Sequence, residues 1–142
     1  MKRFNFSLEK VLKLREYNES EARIELGRAI GVLTEIENKI KRAAIAKNNA
    51  MQERFSHLSG GEAMLTWDNY IARLDQETEK LLKEAAKAEL VVEEKRALYM
   101  EASREKKVME NLKDKRRAEY RKQVLADETR EMDDRPRRGD RE

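Results

Sequence analysis

The feature that most constrains the fold of this chain is a seven-residue repeat of apolar side chains. Alternating steps of four and three residues from Leu8 to Ala43 meet eleven positions, of which nine are apolar. In an α-helix these positions form one line along the surface, and so sustained a line is typical of a coiled-coil seam. Ser7 precedes the repeat as a helix N-cap, which predicts a first helix over about residues 7–55. The eleven positions are Leu8, Leu12, Arg15, Glu19, Ala22, Leu26, Ala29, Leu33, Ile36, Ile40 and Ala43.

The repeat stops once and starts again. The sequence SHLSGG at residues 56–61 contains paired glycines, which end a helix and favour a turn. A second line then begins, with eight apolar residues in nine positions. After Val92 the pattern predicts a shift of phase by one residue, a resumption at Leu98, and a second helix over about residues 62–126. The nine positions are Met64, Trp67, Ile71, Leu74, Thr78, Leu81, Ala85, Ala88 and Val92.

Two long helices joined by a short loop predict an antiparallel hairpin. The expected fold class is all-α: an antiparallel two-helix coiled coil over residues 1–126, followed by a disordered tail at residues 127–142. The tail is highly charged and contains the one proline of the chain. Alignment of the two seams predicts a register in which the numbers of facing residues add to about 117, so that Ile36 faces Leu81.

Charge is unevenly distributed along the chain. Residues 1–15 carry five basic groups and one acidic group, and residues 103–125 carry nine basic groups and four acidic groups. Residues 16–102 have a net charge of −4. The hairpin brings both basic segments to one end, together with the aromatic residues Phe4, Phe6 and Tyr120. A basic end with exposed aromatic side chains is expected to bind an acidic partner surface.

The residues of the sequence give little support for catalysis, metal binding or cofactor binding. The chain has no cysteine, and its one histidine, His57, lies in the predicted loop beside Ser56. A Ser/His nucleophile needs a walled pocket and an oxyanion hole, which a pair of helices does not supply. No catalytic residue, metal ligand, cofactor or small-molecule substrate is therefore predicted. The longest apolar run, residues 29–33, is too short to span a membrane, so no membrane insertion is expected.

Nucleic-acid binding is an alternative for the basic segment at residues 104–123. It contains an aromatic residue, Tyr120, and its charge permits non-specific contact with phosphates. Acidic residues interrupt the segment throughout, however, and it matches no basic-region or zipper signature. A nucleic-acid-associated scaffold is therefore kept only as an alternative function.

Three segments together resemble the flagellar export protein family FliJ. The first is Phe-x-Phe-x-Leu-x-x-Val-Leu-x-x-Arg from Phe4 to Arg15, which is similar to the start of that family. The second is Leu-Lys-x-Lys-x-x-x-Glu-Tyr from Leu112 to Tyr120, similar to its later part. Between them, YIARL at residues 70–74 resembles an aromatic-leucine segment that follows the loop. The resemblance covers nearly the whole chain except residues 127–142.

The resemblance implies a non-enzymatic, stalk-like component of flagellar type III export. Its partners would be the ring of the export ATPase, the cytoplasmic domain of the export gate protein, and export chaperones. It would be cytoplasmic and peripheral at the inner membrane. The residues implied for ATPase binding, together with the two phenylalanines of the basic end, are Phe4, Phe6, Arg15, Lys113, Arg116, Arg117 and Tyr120; those implied for the export gate are Tyr70 and Leu74. A stalk or adaptor of another secretion system is the second alternative.

Overall fold

The computed structural model describes residues 3–56 and 60–135 and consists of two long helices packed against each other. Helix α1 comprises Glu9–Ser56 and helix α2 comprises Gly61–Asp134. No β-strand occurs in the described part of the chain, so the predicted all-α pair of helices is confirmed. Half of the predicted loop, residues 57–59 including His57, lies outside the described residues.

Helix α1 begins two residues later than predicted. The amide of Glu9 donates a hydrogen bond to the carbonyl oxygen of Phe6 over 3.1 Å, which closes a turn at Ser7 and Leu8 before the helix starts. The Ser7 hydroxyl accepts a hydrogen bond from Arg116 Nη1 over 3.3 Å. The expected cap residue therefore links the start of α1 to α2.

Helix α2 ends later than predicted, at Asp134 instead of about residue 126. Pro136 is the first proline after Gly61, and no glycine lies between them, so residues 62–135 contain no residue that strongly breaks a helix. The hydroxyl of Thr129 donates to the carbonyl oxygen of Leu125 over 2.8 Å, so it does not compete with the helix for backbone amides. Residues 127–134 therefore belong to α2, and the predicted tail beyond residue 135 lies outside the described part.

The chain divides into two compact units. The central unit comprises Glu21–Met100, and the terminal unit comprises Met1–Ser20 with Glu101–Glu142. The buried side chains described in the central unit are all apolar, and each is small or branched: Ala29, Ala43, Ala50, Leu74, Leu81, Ala85 and Val92. Small residues at a seam let two helix backbones approach closely, and larger ones fill the space between them.

The terminal unit has a different seam. Its buried residues are Phe6, Leu12 and the carboxylate residue Glu19, of which Glu19 is only 5% exposed. Lys106 and Lys113 on α2 are half-buried at seam positions, because the heptad runs on from Val92 without a shift. Charged residues thus replace apolar ones in much of this seam.

The predicted phase shift after Val92 is wrong at its first position, Leu98, whereas its four later positions are half-buried as predicted. Leu98, which it placed on the seam, is 53% exposed, whereas Lys95 and Tyr99 are half-buried. Lysine can line a seam with its aliphatic stem while its ammonium group reaches water. The heptad repeat therefore continues after Val92, but lysine residues occupy several of its positions.

The predicted register is also wrong. In the central unit, Lys47 Nζ lies 2.7 Å from Asp75 Oδ1, and Arg54 Nε lies 2.9 Å from Asp68 Oδ1; each pair of residue numbers adds to 122. In the terminal unit the corresponding contacts add to between 120 and 125. Relative to a value of 117, α2 is displaced by about five residues. In this register Lys47 lies near Asp75, which carries the opposite charge.

Neither α1 nor α2, within the residues that the structure describes, contains an apolar stretch of membrane-spanning length.

Candidate protein-binding surfaces

The first candidate site lies where residues 3–8 run beside α2 in the terminal unit. The rings of Phe4 and Tyr120 are 5.6 Å apart between centroids and tilted by 48°. The guanidinium carbon of Arg117 lies 5.6 Å from the centroid of the Phe4 ring, within range of a cation–π interaction. An aromatic pair and a basic side chain are therefore in contact on one surface.

An open groove of about 580 Å³ adjoins this aromatic pair. Its polar lining comes from Arg3 and Asn5 on the leading segment and from one face of α2, where residues three or four apart are neighbours. We call it the basic-aromatic groove. It is lined by Arg3, Phe4, Asn5, Arg116, Glu119, Tyr120 and Gln123.

Two ion pairs in the terminal unit join α1 to α2. Lys113 Nζ lies 2.9 Å from Glu9 Oε2, and Arg15 Nη1 lies 2.7 Å from Glu105 Oε2. Lys113 and Arg15 were both predicted to contact a partner, and both already have a partner on the facing helix. The more accessible positive charge lies on Arg116 and Arg117, which are exposed.

The two phenylalanines of the basic end differ in their exposure. Phe6 is only 5% exposed and packs in the core of the terminal unit, so the expectation that it is exposed for docking is wrong. It precedes the first turn of α1, where its carbonyl accepts the Glu9 amide. Phe4 is half-buried, with part of its ring accessible beside the groove. Of the pair, only Phe4 remains a candidate for contact.

The second candidate site lies near the start of α2 in the central unit. Tyr70 is 37% exposed, and its ring meets that of Trp67 edge-on with centroids 6.2 Å apart. Together with Thr66 and Arg73 they line an open groove of about 390 Å³. Leu74, predicted beside Tyr70, is only 8% exposed and belongs to the core. The accessible surface is therefore formed by Tyr70 and its three groove neighbours.

Sequence reasoning missed several residues that line the two grooves. Around the basic-aromatic groove these are Arg3, Asn5, Glu119 and Gln123. The sequence predicts that four of the α2 residues share one helix face: Arg116, Glu119, Tyr120 and Gln123. It does not predict that the leading segment, residues 3–8, lies beside them. No cluster of three His, Asp or Glu side chains suited to a metal ion occurs within residues 3–56 and 60–135. Both grooves are open surfaces suited to another macromolecule.

Comparison with models of protein families matches residues 4–138 to the model described as flagellar FliJ protein. The match extends beyond residue 126, so the charged segment there is not outside the resemblance as the sequence motifs alone suggested. Comparisons with curated proteins and with solved structures find no match.

Proposed function

Because the chain belongs to the flagellar FliJ family, we propose that it is a stalk-like component of the flagellar type III export apparatus. Its terminal unit binds the ring of the export ATPase and promotes assembly and activity of that ring. Its central unit links the ring to the cytoplasmic domain of the export gate, and export chaperones are further partners. These contacts hold it at the cytoplasmic face of the inner membrane.

The observation that supports the proposed ATPase contact is that the terminal unit combines a high positive charge with an accessible aromatic pair. Residues 1–15 have a net charge of +4 and residues 103–125 a net charge of +5, and both segments belong to this unit. A ring of identical subunits repeats every acidic group that faces its axis. Its field therefore attracts and orients a basic partner. The Phe4–Tyr120 pair adds apolar contact area beside the basic side chains.

The test is stimulation of the export ATPase by the charge-reversal variant Arg116→Glu with Arg117→Glu. Both side chains are exposed, so the helices are expected to remain folded while attraction to the ring is lost. Attraction between exposed charges is screened over about 10 Å at ~0.1 M salt. Stimulation by the parent chain should therefore fall as salt is added, and stimulation by the variant should be at least tenfold weaker at low salt.

A matched control is available in the central unit. Lys41 and Arg42 are also adjacent, basic and exposed, so Lys41→Glu with Arg42→Glu makes the same change of net charge elsewhere. This control should stimulate the ATPase as well as the parent chain. Equal stimulation by the Arg116 and Arg117 variant would show that the terminal unit is not the docking surface.

The export-gate contact is proposed for Tyr70 and its groove. Tyr70 has an accessible ring held in place by Trp67, and a rigid aromatic side chain is a frequent anchor in protein interfaces. Tyr70→Ala should weaken binding to the cytoplasmic domain of the gate about tenfold or more, as measured by titration calorimetry. The melting temperature should change little, because Tyr70 is outside the core.

Tyr17 provides the control for this experiment. It is 62% exposed and lies in the terminal unit, so Tyr17→Ala removes an aromatic ring without touching the proposed gate surface. Equal gate affinity of the parent chain and Tyr70→Ala would remove the site. An equal loss in Tyr17→Ala would show that the assay reports exposed aromatic area instead of a specific contact.

A further inference from the structure

The end of α2 carries an exposed acidic segment beside a basic one. Every side chain at residues 125–135 is exposed, and this segment, which we call the acidic extension, has five acidic and two basic residues. The preceding residues 103–124 are net +5. Isolated helices of this length are marginal in water, and burial against another surface is what normally stabilises them.

The acidic residues continue the face of α2 that packs on α1. Lys106, Lys113 and Tyr120 are half-buried at intervals of seven residues, and the next residues in this series are Asp127 and Asp134. Glu131 lies one turn after Asp127 on the same face. Up to Tyr120 this face is covered by α1 and by the segment before it. In the acidic extension the same face is exposed and negatively charged.

The acidic extension cannot reach the basic-aromatic groove of its own chain. Residues 62–135 contain neither glycine nor proline, and α2 is continuous through this region, so the helix has no hinge at which to fold back. At ~1.5 Å per residue, Glu131 lies roughly 16 Å beyond Tyr120 along the helix axis. The attraction between the two segments is therefore left unsatisfied within one molecule.

We propose that the acidic extension of one copy of this chain binds in the basic-aromatic groove of a second copy. The two α2 helices run antiparallel, so that Asp127 and Glu131 of each copy meet Arg3 and Arg116 of the other. The groove lies on the same face of α2 as these acidic residues, because Arg116, Tyr120 and Gln123 line it. One rotation axis then satisfies both contacts, and the pair closes as a symmetric dimer.

The contact is small. It joins about three helical turns on one side to a groove of seven residues on the other, which is below the size of a stable protein interface. A dissociation constant in the micromolar range and a strong dependence on salt are therefore expected. If the terminal unit also docks into the ATPase ring, as proposed above, self-association and docking exclude each other because both use the groove.

The experiment is sedimentation equilibrium of the full chain, which requires no export protein and so is independent of the proposed function. At ~50 mM salt, the weight-average mass should rise with concentration from 16.8 kDa for one chain towards twice that value. At ~500 mM salt the association constant should fall at least tenfold. A parent chain that stays at one mass up to several hundred micromolar at low salt would overturn the proposal.

Two charge-reversal variants test which face of the acidic extension binds the second copy. Asp127→Lys with Glu131→Lys changes the acidic face and should lower the association constant at least tenfold. Glu128→Lys with Asp133→Lys makes the same change in charge and composition on other faces of the same helix, and should associate like the parent chain. Equal effects of the two variants would show that association has no defined face and would contradict the proposed pairing.

A charge-swapped mixture provides the decisive measurement. Arg3→Glu with Arg116→Glu should also abolish self-association, because its groove then repels the acidic extension. Mixed with Asp127→Lys and Glu131→Lys, it should form a heterodimer in which both contacts again join opposite charges. Circular dichroism establishes that each variant is helical before mixing. Two helical variants that associate neither alone nor together would overturn the proposal.

Discussion

The central and terminal units use one heptad repeat for two different purposes. All the buried side chains described in the central unit are apolar, and both side chains of its Lys47–Asp75 ion pair are more than a third exposed. In the terminal unit, Glu19 is buried at the seam itself, and Lys106 reaches it with Nζ 3.7 Å from Oε2. The repeat positions two helices in both units, but among the described residues only the terminal unit buries a charged side chain in the seam.

This difference suits the central unit to stabilising the helix pair and the terminal unit to binding a partner. Burial of apolar area stabilises the folded state by about 25 cal/mol per Å², whereas buried ion pairs contribute little net stability. We therefore expect the central unit to supply most of the free energy that stabilises the helix pair. The terminal unit keeps a high density of positive charge on two adjoining segments, and its aromatic pair Phe4–Tyr120 remains partly accessible. Such a surface is suited to a partner.

The strongest test of this comparison is Leu81→Asp in the central unit. Leu81 is 7% exposed on the seam, so the change buries a carboxylate without a counter-charge and should lower the free energy of unfolding by about 3–5 kcal/mol. Urea unfolding followed by circular dichroism measures the loss.

The adjacent Leu82 supplies the control for this substitution. It is 54% exposed, so Leu82→Asp should cost less than about 1 kcal/mol. If both variants unfold at the same urea concentration, the apolar seam of the central unit is not its main source of stability.

The period of the helices could be predicted from the sequence, whereas the register could not. Apolar spacing fixes which face of each helix is buried, and every α1 position on the predicted seam is buried or half-buried. Sliding one seam along the other by a few residues still pairs apolar with apolar. Cross-helix ion pairs such as Lys47–Asp75 and Lys113–Glu9 distinguish one register from the next, and their partners are distant in sequence.

The candidate sites show the same limit of prediction. The basic segments and the aromatic residues were evident from sequence, but their exposure was not. Phe4 and Phe6 carry the same side chain two positions apart, yet one borders a groove and the other is buried. Leu74 shares a segment with Tyr70 but faces the core. Exposure depends on which helix lies opposite, which local sequence does not contain.

A smaller effect of opposite sign is expected for Glu19→Leu in the terminal unit. Glu19 is 5% exposed, and replacing a buried carboxylate by an apolar residue of similar size removes its cost of desolvation. Lys106 retains a contact with Glu110 at 3.8 Å and is 31% exposed, so its ammonium group is not left buried alone. The free energy of unfolding should rise by about 1 kcal/mol.

Glu16 is exposed on the same helix, so Glu16→Leu is the control and should leave the urea midpoint nearly unchanged. A loss of more than about 1 kcal/mol in Glu19→Leu would reverse the comparison. The ionic seam would then be an essential source of stability in the terminal unit.

The smallest effect tests the register of the central unit. Lys47 and Asp75 are 37% and 52% exposed at their side chains, and the pair should contribute only about 0.3–1 kcal/mol. A double-mutant cycle with Lys47→Met and Asp75→Asn isolates this coupling from the separate effects of the two changes. The control cycle replaces Lys47→Met by Arg42→Met, because a register adding to 117 would place Arg42 opposite Asp75. Coupling between Lys47 and Asp75 with none between Arg42 and Asp75 agrees with a sum of 122. Coupling between Arg42 and Asp75 with none between Lys47 and Asp75 would instead support the register predicted from the seams. Added salt should reduce whichever coupling is found, because both pairs are exposed to solvent.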